Sequence, residues 1–125
     1  MKLTFFTAKC SGNAQNCLYP NKIEATDAQT LSAAVHFDHV MAEYQNYYRS
    51  KDNFIWSDCL GMDCDNDHSD DPADWISVDD IKAAFPDVAF AVAYSRHHNL
   101  PKGSKSARPR FHVYFQITAV TDWNI

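Results

Sequence analysis

The sequence predicts an α+β fold, a largely antiparallel sheet with helices packed on it. Two period-two runs, residues 88–94 and 110–117, are joined by a long connection carrying Pro101, Gly103, Pro109 and most of the local positive charge. That is the pattern of an antiparallel pair with a long loop. Two further extended runs, Lys2 to Ala8 and Asn53 to Met62, are rich in Thr, Phe and Trp, residues that fit a pleated, half-buried surface. Residues with helical spacing and capping signals lie between the extended runs. With 125 residues, 46% of them hydrophobic, the chain can bury one ordinary core. No repeat, low-complexity tract or Gly/Ser linker divides it, so a single domain over 1–125 is expected.

Taken in order, Lys2 to Ala8 reads as the first strand. After a polar loop containing Pro20, a helix is expected from near Asp27, with Leu31, Ala34 and Val35 on one face. Phe37, Val40, Met41, Tyr44 and Tyr48 keep helical spacing but are out of phase with the first group. This predicts one kinked helix or two short ones. At helical spacing, packing is the expected role of the Tyr47–Tyr48 pair. In Asn53 to Met62, Phe54, Trp56, Leu60 and Met62 share one face. The same period puts Asp63 and Asp65 on a common side just past the strand, opposite Met62. Residues 66–75 form an acidic loop. Ser77 to Asp80 is a capping box, with Ile76 and Ile81 at hydrophobic-staple positions, and Pro86 stops the short helix. In the last strand Phe111, Val113, Phe115 and Ile117 alternate with Arg110, His112, Tyr114 and Gln116, which predicts one apolar face and one polar one.

Composition narrows the function. No apolar run approaches the ~18 residues of a membrane helix, and the amino terminus is too short in apolar residues for a secretory signal. A cytoplasmic protein that does not engage membranes is expected. Cys10, Cys17, Cys59 and Cys64 are read as free thiols, because their spacings miss the C-x2-C knuckle of structural zinc. The net charge of −5 hides a segregation. Residues 58–80 hold nine aspartates and no Lys or Arg; elsewhere eleven basic residues face seven acidic ones. Between Val88 and Thr121 there is no acid, against Arg96, Lys102, Lys105, Arg108 and Arg110. One stretch suits cations and the other anions, a combination that handles metal-bound phosphates.

Asp63-Cys64-Asp65-Asn66-Asp67 is the strongest chemical signal. Two carboxylates spaced i, i+2 at a strand end present oxygen ligands together, as hard divalent ions require. In a two-metal reaction such a pair places one ion on the nucleophile and one on the leaving phosphate. An acidic surface loop is the competing reading, since aspartates favour turns for backbone reasons. A calcium loop is another, with Asp63, Asp65, Asp67 and Asp74 at ligand positions. It fails where His68 replaces the required glycine and where a strand, not a helix, precedes the loop. His112 lies mid-strand on the expected polar face beside Arg110. Ser95, Arg96, His97 and His98 leave the partner strand, and Lys102 to Arg110 follow. Such clusters bind phosphate oxygens, although a solvated basic surface would look the same in sequence. No G-x-x-x-x-G-K-[ST] loop is present.

Taken together, LGMDCDND at Asp63 and Asp65 and SARPRFHVYF at His112 resemble the two motifs of the archaeo-eukaryotic primase, or primase-polymerase, superfamily. More narrowly, the stretch YSRHHNLPKGSKSARPRFHVYF is similar to the amino-terminal primase-like domains of replication proteins from plasmids, phages and integrative elements. The resemblance runs from the first strand to the end. It implies a partial RRM-like catalytic core and template-directed DNA primase/polymerase nucleotidyl transfer. Asp63 and Asp65 would bind Mg²⁺ or Mn²⁺ and His112 would contact the incoming nucleotide. Arg96, Lys105 and Arg110, with Ser95 and His98 beside them, would hold its triphosphate. The partners implied are nucleoside triphosphates, a single-stranded or primed DNA template, and a helicase domain or further carboxy-terminal sequence. The family also has a third carboxylate on a later strand; here only Asp122 follows His112. This makes a truncated, inactive domain or a noncatalytic nucleotide- or nucleic-acid-binding module the alternative expectation.

Overall fold

The computed structural model describes residues 1–122. Its elements are the strands β1 (Leu3–Thr7) and β2 (Asn21–Ala25), the helix α1 (Ala28–His36), and the strands β3 (His39–Val40), β4 (Glu43–Tyr44) and β5 (Phe54–Cys64). The helix α2 (Val78–Ala84) and the strands β6 (Phe90–Tyr94) and β7 (Phe111–Val120) follow. The fold is α+β with two antiparallel sheets, ordered β2-β1-β3 and β4-β5-β7-β6. By contacts the chain divides into two compact units, Met1–Leu60 with Phe115–Ile125, and Gly61–Tyr114. No helix among the described residues is long and apolar enough to cross a membrane.

In the first unit β1 is the central strand, and all five of its residues are buried. It pairs β2 from Leu3↔Ala25 to Thr7↔Asn21 and β3 at Phe6↔Val40. Phe6, Ala8, Tyr19 and Val40 form a core cluster. Thr4 is buried without penalty: its N–H and hydroxyl donate to the two Asp58 oxygens at 3.0 and 2.8 Å. The first helix starts where expected, with Asp27 and Thr30 closing a capping box.

The second helical expectation is overturned. Residues 37–48 form β3, β4 and a 3-10 turn at Gln45–Tyr47. Long-range pairing outcompetes the local periodicity here. Ala8 N–H donates to Asp38 O at 2.8 Å, and the Asp38 carboxylate takes the N–H groups of Gly12 and Asn13 at 2.7 and 2.8 Å. Part of the expected polar loop is also the strand β2. The burial phase of β5 differs from expectation as well. Ser57 and Cys59 are buried while Leu60 is exposed, and beyond Gly61 the buried positions become Cys64 and Asn66. Burial, with Asp58 adding to it, pushes the Cys59 thiol up to about 12, which keeps it an inert core group. All four cysteines are free.

In the second unit α2 opens with the expected Ser77–Asp80 capping box. Ile81 is buried, but Ile76 is exposed, so the staple partner stays in solvent. The polar face expected for the last strand is a correction too. Arg110 and Tyr114 are buried along with Phe111, Val113 and Phe115, so this stretch is covered on both sides.

Candidate functional site

The site grows from the ends of β5 and β7, within the Gly61–Tyr114 unit. Cys64, the last residue of β5, is buried, so the pleat turns its neighbour Asp63 to the opposite side. The Asp63 side chain is 71% exposed and meets the His112 ring, Oδ1 against Nδ1. His112 stands between buried Phe111 and Val113, and its ring lies 6.3 Å from that of Tyr114 at an interplanar angle of 27°. The two motif residues that sequence places 49 positions apart therefore share one face. Asp65 follows the last residue of the strand and is half-buried.

Next along the chain, Asp67 gathers two cations. Arg110 Nη1 donates to its Oδ1 at 2.8 Å, and Lys105 Nζ stands 3.4 Å from Oδ2. Partial burial pushes the Asp67 carboxyl up, but the Arg110 hydrogen bond and the charges of Arg110 and Lys105 outweigh it and hold the group below its ordinary value. Arg110 is 1% exposed, and its Nε and Nη2 are buried without an acceptor among the described residues. A buried guanidinium with donors to spare is rare in a finished core.

The other expected phosphate contacts are placed differently. The His98 Nδ1 accepts the Arg110 backbone N–H at 3.1 Å, its Nε2 lies 3.2 Å from the Asn99 side-chain nitrogen, and its ring lies 4.3 Å from that of Tyr94. That leaves His98 engaged as a strut of the loop. Ser95 opens the loop, its N–H donating to Arg110 O at 3.0 Å, and Arg96 is exposed.

Two residues that sequence reasoning missed hold the acidic loop in shape. Asn66 adopts a left-handed φ of 56°. Its Nδ2 donates to Ile76 O at 3.0 Å and Pro109 O at 2.9 Å, and its Oδ1 accepts from Ile76 N–H at 2.8 Å. Arg108 donates to Asn66 O and Ser69 O at 2.9 Å each, to Asp70 Oδ1 at 2.9 Å and to Ser106. Its guanidinium also lies 5.2 Å from the Trp75 ring centre. The available signal was a basic loop of opposite charge to an acidic one; part of the charge segregation is spent internally.

The residues present fit a divalent ion in one respect. Asp63 and Asp65, two residues apart at the end of β5, offer carboxylate oxygens, and Mg²⁺ is commonly held by one or two carboxylates with substrate phosphates completing the shell. Among the described residues there is no group of three or more His, Cys, Asp or Glu side chains that could hold a metal by themselves. Comparison of the chain with protein-family models, curated proteins and solved structures finds no match.

Proposed function

We propose that this chain is a primase-polymerase-type nucleotidyltransferase domain of a mobile-element replication protein, acting on nucleoside triphosphates along a DNA template. The observation that carries the reading is the meeting of Asp63 and His112, with Asp65 two residues on and the Asp67–Arg110–Lys105 cluster following in the chain. Mg²⁺ or Mn²⁺, when bound, would supply charge neutralisation at the transferring phosphoryl group. Asp63 and Asp65 hold that ion. His112, oriented by Asp63, donates to the nucleotide. Arg110 and Lys105, both held by Asp67, would add positive charge for the triphosphate.

The experiment is a Mn²⁺ and triphosphate titration of the wild type against Asp63→Asn/Asp65→Asn, with thermal melts alongside. The double variant should lose at least about tenfold in Mn²⁺ affinity, since both anionic ligands go, while its melting temperature holds. Equal affinity would sink the metal role. A second reading, nucleotide binding without catalysis, is favoured by one observation: no third ligand joins Asp63 and Asp65 among the described residues. Primer synthesis by this chain and by a longer version separates the two readings. The calcium-loop alternative draws little support, because a strand precedes the loop and Asp67 is engaged by Arg110 and Lys105.

A further inference from the structure

The tyrosine pair at 47–48 lies in the first unit, where the proposed site makes no use of it. Helical spacing would pack these rings, yet the segment is not an α-helix and both side chains are 48% exposed. Asn46 and Tyr47 each have a φ of 58°. A left-handed backbone is strained at a bulky residue and persists only where surrounding bonds over-determine it. Those bonds are present. Tyr19 N–H donates to Tyr47 O at 3.0 Å, Arg49 N–H to Cys17 O at 2.8 Å, and Tyr48 N–H to Gln45 O at 3.2 Å. Leu18 and Tyr48 form an antiparallel bridge, which sets an exposed Leu18 beside the exposed Tyr48. The strain is not repaid by burying either ring.

The charge around this surface selects a partner. Beside the bridge, residues 44–51 carry Arg49 and Lys51 and no Asp or Glu, with Glu43 and Asp52 at the two ends, in a chain of net charge −5. Lys22 meets Glu24 at 4.0 Å. Arg49 is positioned in advance, its guanidinium 5.5 Å from the Tyr19 ring centre and its Nη2 3.5 Å from Asn16 O. Exposed aromatic faces beside a fixed cation match the chemistry of single-stranded nucleic acid. Every base offers a π-face to a ring whatever its identity, and the phosphates answer the cations.

From this we infer that Tyr47 and Tyr48, flanked by Leu18, Arg49 and Lys51, form a stacking platform for the bases of a single strand. The inference rests on the proposed function for its expectation of a nucleic-acid template, and its test is independent of catalysis. Fluorescence anisotropy with a labelled oligothymidylate, an RNA of equal length and a duplex is measured on wild type, Tyr47→Ala/Tyr48→Ala, Tyr47→Phe/Tyr48→Phe and Asp63→Asn/Asp65→Asn. The alanine pair should weaken single-strand binding about tenfold or more. The phenylalanine pair should stay within about twofold of wild type, because stacking needs only the ring. Should the alanine pair not fold, Tyr48→Trp replaces it, and oligonucleotide must quench the new indole. DNA and RNA binding alike, or either one preferred, supports the platform and identifies its source. Equal affinity in wild type and the alanine pair, an unquenched indole, or a wild type that prefers duplex or binds only polypeptide overturns it. Loss of the metal role with single-strand binding intact would sink the proposed function alone.

Discussion

Arg108 and Arg110 stand two residues apart, are equally buried, and contact the same acidic loop, yet their surroundings differ. Arg108 uses Nε, Nη1 and Nη2 on protein acceptors, three of them the backbone carbonyls of Ser106, Asn66 and Ser69. Arg110 spends one nitrogen on Asp67 and keeps Nε and Nη2 buried without an acceptor among the described residues. A fully bonded buried cation stabilises the loop it ties down. One with donors unspent costs desolvation that its single ion pair does not recover. The difference teaches that identical residue types in one motif divide labour. Arg108 fixes the loop, and Arg110 is the less fully bonded of the two.

The comparison breaks most directly at Arg108. Arg108→Met should lose about 3–5 kcal/mol in urea unfolding, because it orphans buried carbonyls as well as removing the cation. Asp70→Asn should lose under about 1 kcal/mol, since the Asp70 side chain is 90% exposed and its ion pair is screened. Comparable losses in the two variants would return the salt bridge to the main role.

A smaller and opposite effect is expected at Arg110. Arg110→Met should leave stability unchanged or raise it by about 1 kcal/mol, while weakening triphosphate binding. The paired urea and nucleotide titrations read both. A loss as large as that of Arg108→Met would make Arg110 a second strut and remove its claim on phosphate.

The smallest effect sharpens the role of Asp67. Its carboxyl is held low in the fold by Arg110 and Lys105 against the opposing push of burial. The stability it contributes is therefore complete above the ordinary carboxylate value, about pH 4, and is lost as pH falls through its lower folded value. Urea midpoints followed from about pH 5 to pH 2 should fall less steeply for Asp67→Asn than for wild type. Parallel slopes would show that Asp67 carries no linkage.

Local signals were legible wherever one residue's chemistry and its near neighbours decide the outcome. Asp27 with Thr30 and Ser77 with Asp80 start helices because side-chain oxygens satisfy N–H groups within one turn. The helix expected over residues 37–48 failed because Asp38 and Val40 are claimed by partners far away in sequence, which a periodicity count does not register. The exposed polar face expected at Arg110 and Tyr114 failed for the same reason.

By itself, then, the sequence determined the α+β class, the start of the first helix and the Ser77–Asp80 cap, all consequences of interactions within a few residues. Only the tertiary structure decided that His112 meets Asp63, that Asn66 and Arg108 lock the acidic loop, and that Tyr47 and Tyr48 stay exposed. Each of these depends on segments brought together from distant parts of the chain, where burial and competition for hydrogen-bond partners set the result.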